Sequence, residues 1–305
     1  MRYLPNGKQM SEADAHTIHE IGIPSLVLME RAALQIIETM HKKNISTEKS
    51  LIVCGSGNNG GDGFAVARLL TEQGKHADVL FAGKEASLSE ECRCQKQIVE
   101  NMGISVFTEF PDEEYTVIID AVFGVGLCRE ITGHYKDVID WMNLQDAEKV
   151  AVDIPSGICA TTGKILGTAF RADLTVCMAC VKLGCELFPG KSYAGESIPV
   201  AIGINPKYFS NHLDVCYTFD KNDLGKLLPS RMMNSHKGSY GKVLMITGSP
   251  GMAGAAFLSA CAAYTVGAGL VQIYTASENR LALQELLPEA IISCYDSVSY
   301  THLTL

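Results

Sequence analysis

Three short stretches of this chain carry residues that could do chemistry, and each closes an apolar run. Gly55-Ser56-Gly57-Asn58-Asn59-Gly60-Gly61-Asp62-Gly63 follows LIVC. Its glycines would let backbone approach an anion, and a helix starting there would offer free N–H groups and the positive end of its dipole. The adjacent asparagines add carbonyl oxygens suited to a hard cation or a polar ligand. Asp62, at the helix start, would repel a pyrophosphate or act as a first-turn acid that complements the dipole. Asp120 ends the run TVIID, and Asp153 ends KVAVD. A carboxylate at the end of a buried strand is costly unless it is paired, hydrogen-bonded or bound to a cation. Gly124-Val125-Gly126-Leu127 follows the first acid, and Pro155-Ser156-Gly157 follows the second. The latter turn would present a hydroxyl and a carbonyl to the same crevice. Together the three stretches predict one polar site with two carboxylates and two asparagine side chains.

Those residues need a scaffold that gathers strand ends. Apolar runs at 51–55, 77–83, 105–108, 116–124, 149–157 and 174–180 alternate with helix-length segments such as GFAVARLLTEQG and SLSEECRCQKQIVENMG. Such short runs between helices are parallel strands covered on both faces. The pattern predicts an α/β fold, a Rossmann-like doubly wound parallel sheet whose ligands bind at the carboxyl ends of the strands. Two helices precede it. Ser11 reads as the first cap, with Asp14 completing a loose capping box, and Ile23-Pro24-Ser25 separates the two. A polar, turn-rich stretch leads to about residue 218, where a second β-α-β pattern begins. Its buried strand KVLMITG is followed by the small-residue helix GAAFLSACAAYTVGAG, the strand LVQIYTAS and a short helix at 278–287. The expected domains are 1–217 and 218–305.

Composition narrows the function. The chain has 305 residues, is 47% hydrophobic and carries a formal charge of −9. That balance supports a sizeable core and disfavours nucleic-acid binding, which wants a basic surface. All of the charge belongs to residues 1–217, with 19 Lys+Arg against 28 Asp+Glu; the remainder has six of each. No run is long and apolar enough for a membrane span, and the start has no charged-then-apolar export signal. A cytoplasmic, reducing setting is expected. The eleven cysteines, including Cys177 and Cys180 in LTVCMACV, therefore read as reduced thiols, most of them in the core.

The three motifs, in this order, resemble the NAD(P)H-hydrate epimerase family from the N-terminal helices to about residue 215. The resemblance implies a Rossmann-like fold, a potassium ion and interconversion of the R and S forms of hydrated NADH or NADPH at C6. It implies Asn59, Asp120 and Ser156 as potassium ligands. It implies that Asn58, Asn59, Gly60, Gly61 and Asp62 contact the hydrate, as do Gly124, Val125, Gly126, Leu127, Cys128, Arg129 and Glu130. Tyr135 and Asp153 are further contacts. Inversion at C6 loosens one C–O bond and rebuilds it on the other face, which needs a proton donor and acceptor. Asp153 is the expected acid-base residue, with Asp62 as the alternative. The family also implies a homo-oligomer, a dimer.

From about 221 to 292 the chain resembles the opening of the ADP- or ATP-dependent NAD(P)H-hydrate dehydratase domain, a ribokinase-like fold often fused to the epimerase. There Ala255 would touch the hydrate. The Gly-Thr-Gly-Asp nucleotide run of that family does not occur, so no dehydratase activity is expected of this chain. The last residues, SVSYTHLTL, stand apart from the resemblance. Two other readings compete. A nicotinamide dehydrogenase would use Gly55-x-Gly57-x-x-Gly60 with a ribose-binding acid ~20 residues on; Asp78 has the spacing but precedes the core of its strand. A non-catalytic binding module would have no need of Asp120, Asp153 and the asparagine pair, all of which are present.

Overall fold

The computed structural model describes residues 1–296 except Leu213 and Pro229, and the tail from 297 onward, with SVSYTHLTL, lies outside the described residues. The chain divides into two compact units, Met1–Leu224 and Gly225–Leu305. The first runs β1 (Arg2–Leu4), α1 (Gly7–His19), α2 (Ser25–Lys42), β2 (Lys49–Cys54), α3 (Asn58–Glu72), β3 (His76–Phe81), α4 (Glu90–Asn101), β4 (Val106–Phe107) and β5 (Val117–Ala121). It continues with α5 (His134–Leu144), β6 (Glu148–Val152), β7 (Leu174–Met178), α6 (Leu183–Glu186), β8 (Glu196–Val200), β9 (Cys216–Thr218) and α7 (Lys221–Leu227), whose end reaches into the second unit.

Seven of these strands form one parallel sheet in the order β4-β3-β2-β5-β6-β7-β8. The chain winds outward from β2 to β4, returns to lay β5 beside β2, and winds the other way to β8. The direction reverses between β2 and β5, and open α/β sheets bind ligands in the crevice at that point. The alternating side chains explain the unbroken apolar runs. Ile52 and Cys54 face a core with Ile36, Met40, Phe64, Leu70 and Val99 from α2, α3 and α4. Leu51 and Val53 face the opposite core with Val138, Ile139 and Met142 of α5. With both faces dry, period-two alternation disappears.

Several local expectations change. The cap of α1 is Asn6, in a capping box with Gln9, and Ser11 lies inside the helix with its hydroxyl donating to the Gly7 carbonyl at 3.1 Å. Asp14 is therefore not a cap partner. Helix α3 starts at Asn58, so Asp62 sits past its first turn and does not act as a first-turn acid. The short strands β1 and β9 pair antiparallel, Arg2 opposite Thr218, and tie the start of the chain to the end of the first unit.

The second unit contains β10 (Lys242–Ile246), α8 (Ala253–Thr265), β11 (Leu270–Ala276), α9 (Arg280–Leu286) and β12 (Ile291–Tyr295), its strands forming a parallel sheet in sequence order. Its small core gathers Ala256, Ala260, Val271, Ile273 and Leu283. KVLMITG is not the buried strand expected: Leu244 and Ile246 of β10 are 61% and 75% exposed, and Leu258 of α8 is 68% exposed. No helix among the described residues is long and apolar enough to cross a membrane.

Candidate active site

The loops after β2 and β5 pack backbone against backbone, and Ser156 of the loop after β6 joins them through its hydrogen bonds to Asp120. A Cβ on Gly55 would lie 2.0 Å from the Val122 carbonyl oxygen, and one on Gly60 would lie 2.0 Å from the Gly55 carbonyl oxygen. Only glycine permits that approach, which brings the start of α3 onto the loop leaving β5. Beside it opens a cavity of about 600 Å³. Asn58, Asn59 and Asp62 line it, as do Gly124 to Arg129, Asp153 and Lys182; α1 and α2 add Met10, Ser11, Asp14, Leu28 and Met29.

Asp120 is fully buried beneath this cavity. One carboxylate oxygen accepts the Ser156 hydroxyl at 2.7 Å and the Val122 N–H at 3.2 Å, and the other accepts the Ser156 N–H at 2.7 Å. The Ser156 hydroxyl oxygen in turn accepts the Phe123 N–H at 2.8 Å. Burial lifts the Asp120 pKa to about 6 despite these hydrogen bonds, which pull it down. No cationic side chain pairs with Asp120 among the described residues. The Asn59 side chain lies against Gly124, and its Nδ2 position is buried without a partner. Amide O and N are interchangeable in assignment, so an inward-facing Asn59 oxygen would leave a carbonyl, a hydroxyl and a carboxylate without a protein cation. An all-oxygen group of this kind fits a hard monovalent cation.

Asp153 is held in an unusual state. Its backbone is left-handed, with φ +69°, a conformation few non-glycine residues adopt. Its Oδ1 accepts the Met178 N–H at 2.9 Å and the Lys182 ammonium. No partner is recorded for its Oδ2 among the described residues. Lys182 is fully buried and also donates to the Met178 carbonyl at 3.0 Å. Burial works against its charge, but the attraction of Asp153 outweighs it and the Lys182 pKa is raised. Asp62 has no such cation contact among the described residues. Burial, then the charges of Asp153 and Asp14, lift its pKa well above the carboxylate range, with Lys182 opposing. Asp62 therefore holds its proton more tightly than an ordinary aspartate, while Asp153 faces an ammonium, so the two carboxyls stand in different surroundings.

Not every expected residue reaches the cavity wall. Gly60 and Gly61 are buried in α3, Glu130 is exposed off the wall, and Tyr135 packs its ring on Phe123 at 4.8 Å. Ala255 lies in α8 of the second unit. Asp78, which a dehydrogenase would need at the ribose, stands inside β3 with its carboxylate bonded to Tyr115 at 3.1 Å and to His76 at 2.9 Å, away from the cavity. Sequence reading missed Lys182 and Asp14. Lys182 had a usable signal, a lone cation closing the apolar run LTVCMACV. Asp14 had none, because its position in α1 carries no motif.

Residues 25–184 match the model of the YjeF-related protein N-terminus, and a NAD(P)H-hydrate epimerase of Oenococcus oeni is 42% identical over 201 residues, 65% of this chain and 96% of that protein. The chain belongs to the NAD(P)H-hydrate epimerase family. Residues 243–304 match the NAD(P)H-hydrate dehydratase family model, so the likeness continues past residue 292 and takes in most of SVSYTHLTL. A bifunctional NAD(P)H-hydrate repair enzyme of Moorella thermoacetica is 34% identical over 282 residues, 88% of this chain; the chain spans about half of that relative, 53%. The fold is similar to that in the crystal structure of yeast ynu0, YNL200c, with a TM-score of 0.56 at 18% identity, covering 70% of this chain and 99% of that one.

Proposed function

We propose that this chain is a metabolite-repair isomerase that interconverts the R and S hydrates of NADH and NADPH at C6, so that a dehydratase can restore the reduced nucleotide. The observation that carries the reading is the meeting, at the β2–β5 reversal, of Asp62 and an ion-paired Asp153 on one cavity beside the buried Asp120–Ser156 pair. The C6–O bond breaks and its electron pair stays on oxygen, which takes the Asp62 proton and leaves as water. The N1 lone pair forms an N1=C6 iminium bond. Water then adds to the opposite face of C6, the N1=C6 pair returns to nitrogen, and the surplus proton goes to Asp153. Carboxylates fixed around the ring stabilise the cation as it develops. The free N–H groups opening α3 and the Gly124–Arg129 loop would hold the pyrophosphate, which a chain of net charge −9 cannot do with a basic surface. Glu130, Tyr135 and the buried Gly60 and Gly61 would shape these loops.

Asn59, Asp120 and Ser156 would hold a potassium ion, which when bound supplies a fixed positive charge to the nucleotide. The test follows R-to-S conversion with an intact dehydratase added to consume the S form, with and without potassium. Acceleration that requires potassium is expected, with one oxygen from labelled water entering per inversion. No acceleration over the uncatalysed rate would refute the reading. The assembly proposed is a homo-oligomer in the cytoplasm.

The second unit is proposed to contribute no dehydratase activity as it stands. A complete domain would use ADP or ATP and place Ala255 at the hydrate. The exposed Leu244, Ile246 and Leu258 support this, because a folded catalytic domain covers such faces. Incubating this chain with S-hydrate and ADP or ATP should yield no NADH absorbance. Limited proteolysis should cut at 215–240, where Met232 and Met233 are 69% and 107% exposed, and release a stable N-terminal fragment. Regeneration of NADH, or uniform resistance, would contradict this.

A further inference from the structure

Three carboxyls line the cavity, and the reaction proposed above uses two. The third, Asp14, is half-buried on the cavity wall, and no hydrogen-bond or ion-pair partner is recorded for it among the described residues. An unpartnered carboxyl in a ligand cavity is free to bond with the ligand. Inverting a carbon centre poses a further demand, since the oxygen leaves one face and arrives on the other. Asp153 cannot swing between faces: its backbone is left-handed and its carboxylate is held by Met178 and Lys182. Asp62 and Asp153 both come from segments leaving sheet strands. Asp14 is delivered by a different element, α1, whose start is clamped against the strand-end loops. The Leu183 N–H donates to the Pro5 carbonyl at 3.0 Å, and a Cβ on Gly7 would lie 2.6 Å from the Val125 oxygen.

We propose that Asp14 is a further acid-base residue of this site, relaying to Asp153 the surplus proton of the oxygen on the ring face turned to α1, while Asp62 and Asp153 themselves stand on the face turned to the strand ends. This rests on the epimerase reading. The groups facing Asp14 are Asp62, Asp153, Glu91 of α4, His19 of its own helix and Lys182. Burial first, then Asp153 and Glu91, raise its pKa, while His19 and Lys182 oppose. A carboxyl so placed stays protonated to higher pH than an ordinary aspartate and donates until the pH passes its own pKa.

The experiment measures epimerisation of a mixed R/S NADH hydrate by the full chain and by its Asp14→Asn and Asp14→Glu variants across pH. Asp14→Asn should lower kcat by about 100-fold, the usual scale for one acid-base group, with KM within about threefold, because binding is kept and the transition-state step is lost. Its kcat should also lose the fall that Asp14 deprotonation imposes at high pH. Asp14→Glu should restore most of the rate and the fall. Asp14→Asn at wild-type kcat, or a loss confined to KM, would overturn the proposal. Should Asp14→Asn melt below the assay temperature, Asp14→Ser takes its place with the same two outcomes. A wild-type chain that does not epimerise refutes the epimerase reading, whereas an active wild type with an indifferent Asp14→Asn refutes only the role of Asp14.

Discussion

Asp153→Asn should reduce epimerisation by about 10³-fold while the hydrate still binds, within the 10²–10⁴ range for loss of a positioned proton acceptor. Asparagine keeps the shape and tolerates the left-handed backbone at φ +69°, so the loss is one of charge and basicity. The same substitution has a structural cost. Lys182 is fully buried, and Asp153 is its recorded carboxylate partner. Removing one member of a buried pair destabilises by about 3–5 kcal/mol. The double variant Asp153→Asn/Lys182→Met should therefore recover much of the thermal stability and none of the activity. Kinetics and melting of the two chains separate the chemical role of Asp153 from its structural one. Full activity in Asp153→Asn would remove it from the acid-base role.

The second large effect is expected at Asp120. Asp120→Ala leaves the Ser156 N–H, the Ser156 hydroxyl and the Val122 N–H without their acceptor in a fully buried place. Orphaned buried donors cost about 1–3 kcal/mol each, and partial relaxation brings the total to about 4 kcal/mol. For a domain of this size that is a fall in Tm of roughly 10 °C. If the pair also holds potassium, any stabilisation of the wild-type chain by potassium chloride over lithium chloride should vanish in the variant. A Tm within 2 °C of wild type, on the scale of an ordinary surface substitution, would mean that the hydrogen bonds do not anchor the β5 and β6 loops as drawn.

Much of the site was legible before any coordinates. LIVC, TVIID and KVAVD are continuous apolar runs because the β2–β5–β6 core of the sheet is covered on both faces, so their ends could be located without knowing the fold in detail. Asp120 and Asp153 stood out because a charge closing such a run has to be satisfied by something. The bulk of the capping and edge detail was not legible. β8, Glu196–Val200, is half-exposed and holds a proline, so it carries no continuous apolar signal. β1 and β9 are three-residue strands defined only by each other. The cap of α1 moved from Ser11 to Asn6 because two cap-like residues lay within one helix, and only the hydrogen bonds to Gln9 choose between them.

What the sequence by itself determined is which residues stand at the strand ends, since hydrophobic periodicity and glycine spacing are local properties. The surroundings of each carboxyl were decided only by tertiary structure. Asp62, Asp153 and Asp14 are the same side chain, and what each faces depends on the neighbours folding brings from elsewhere. Lys182 reaches Asp153 from 29 positions along the chain, while Asp62 and Asp14 gain burial and a negative neighbour instead of an ammonium in contact. Coulomb energies at these separations act through space and through a low local dielectric, and neither can be read from the order of residues.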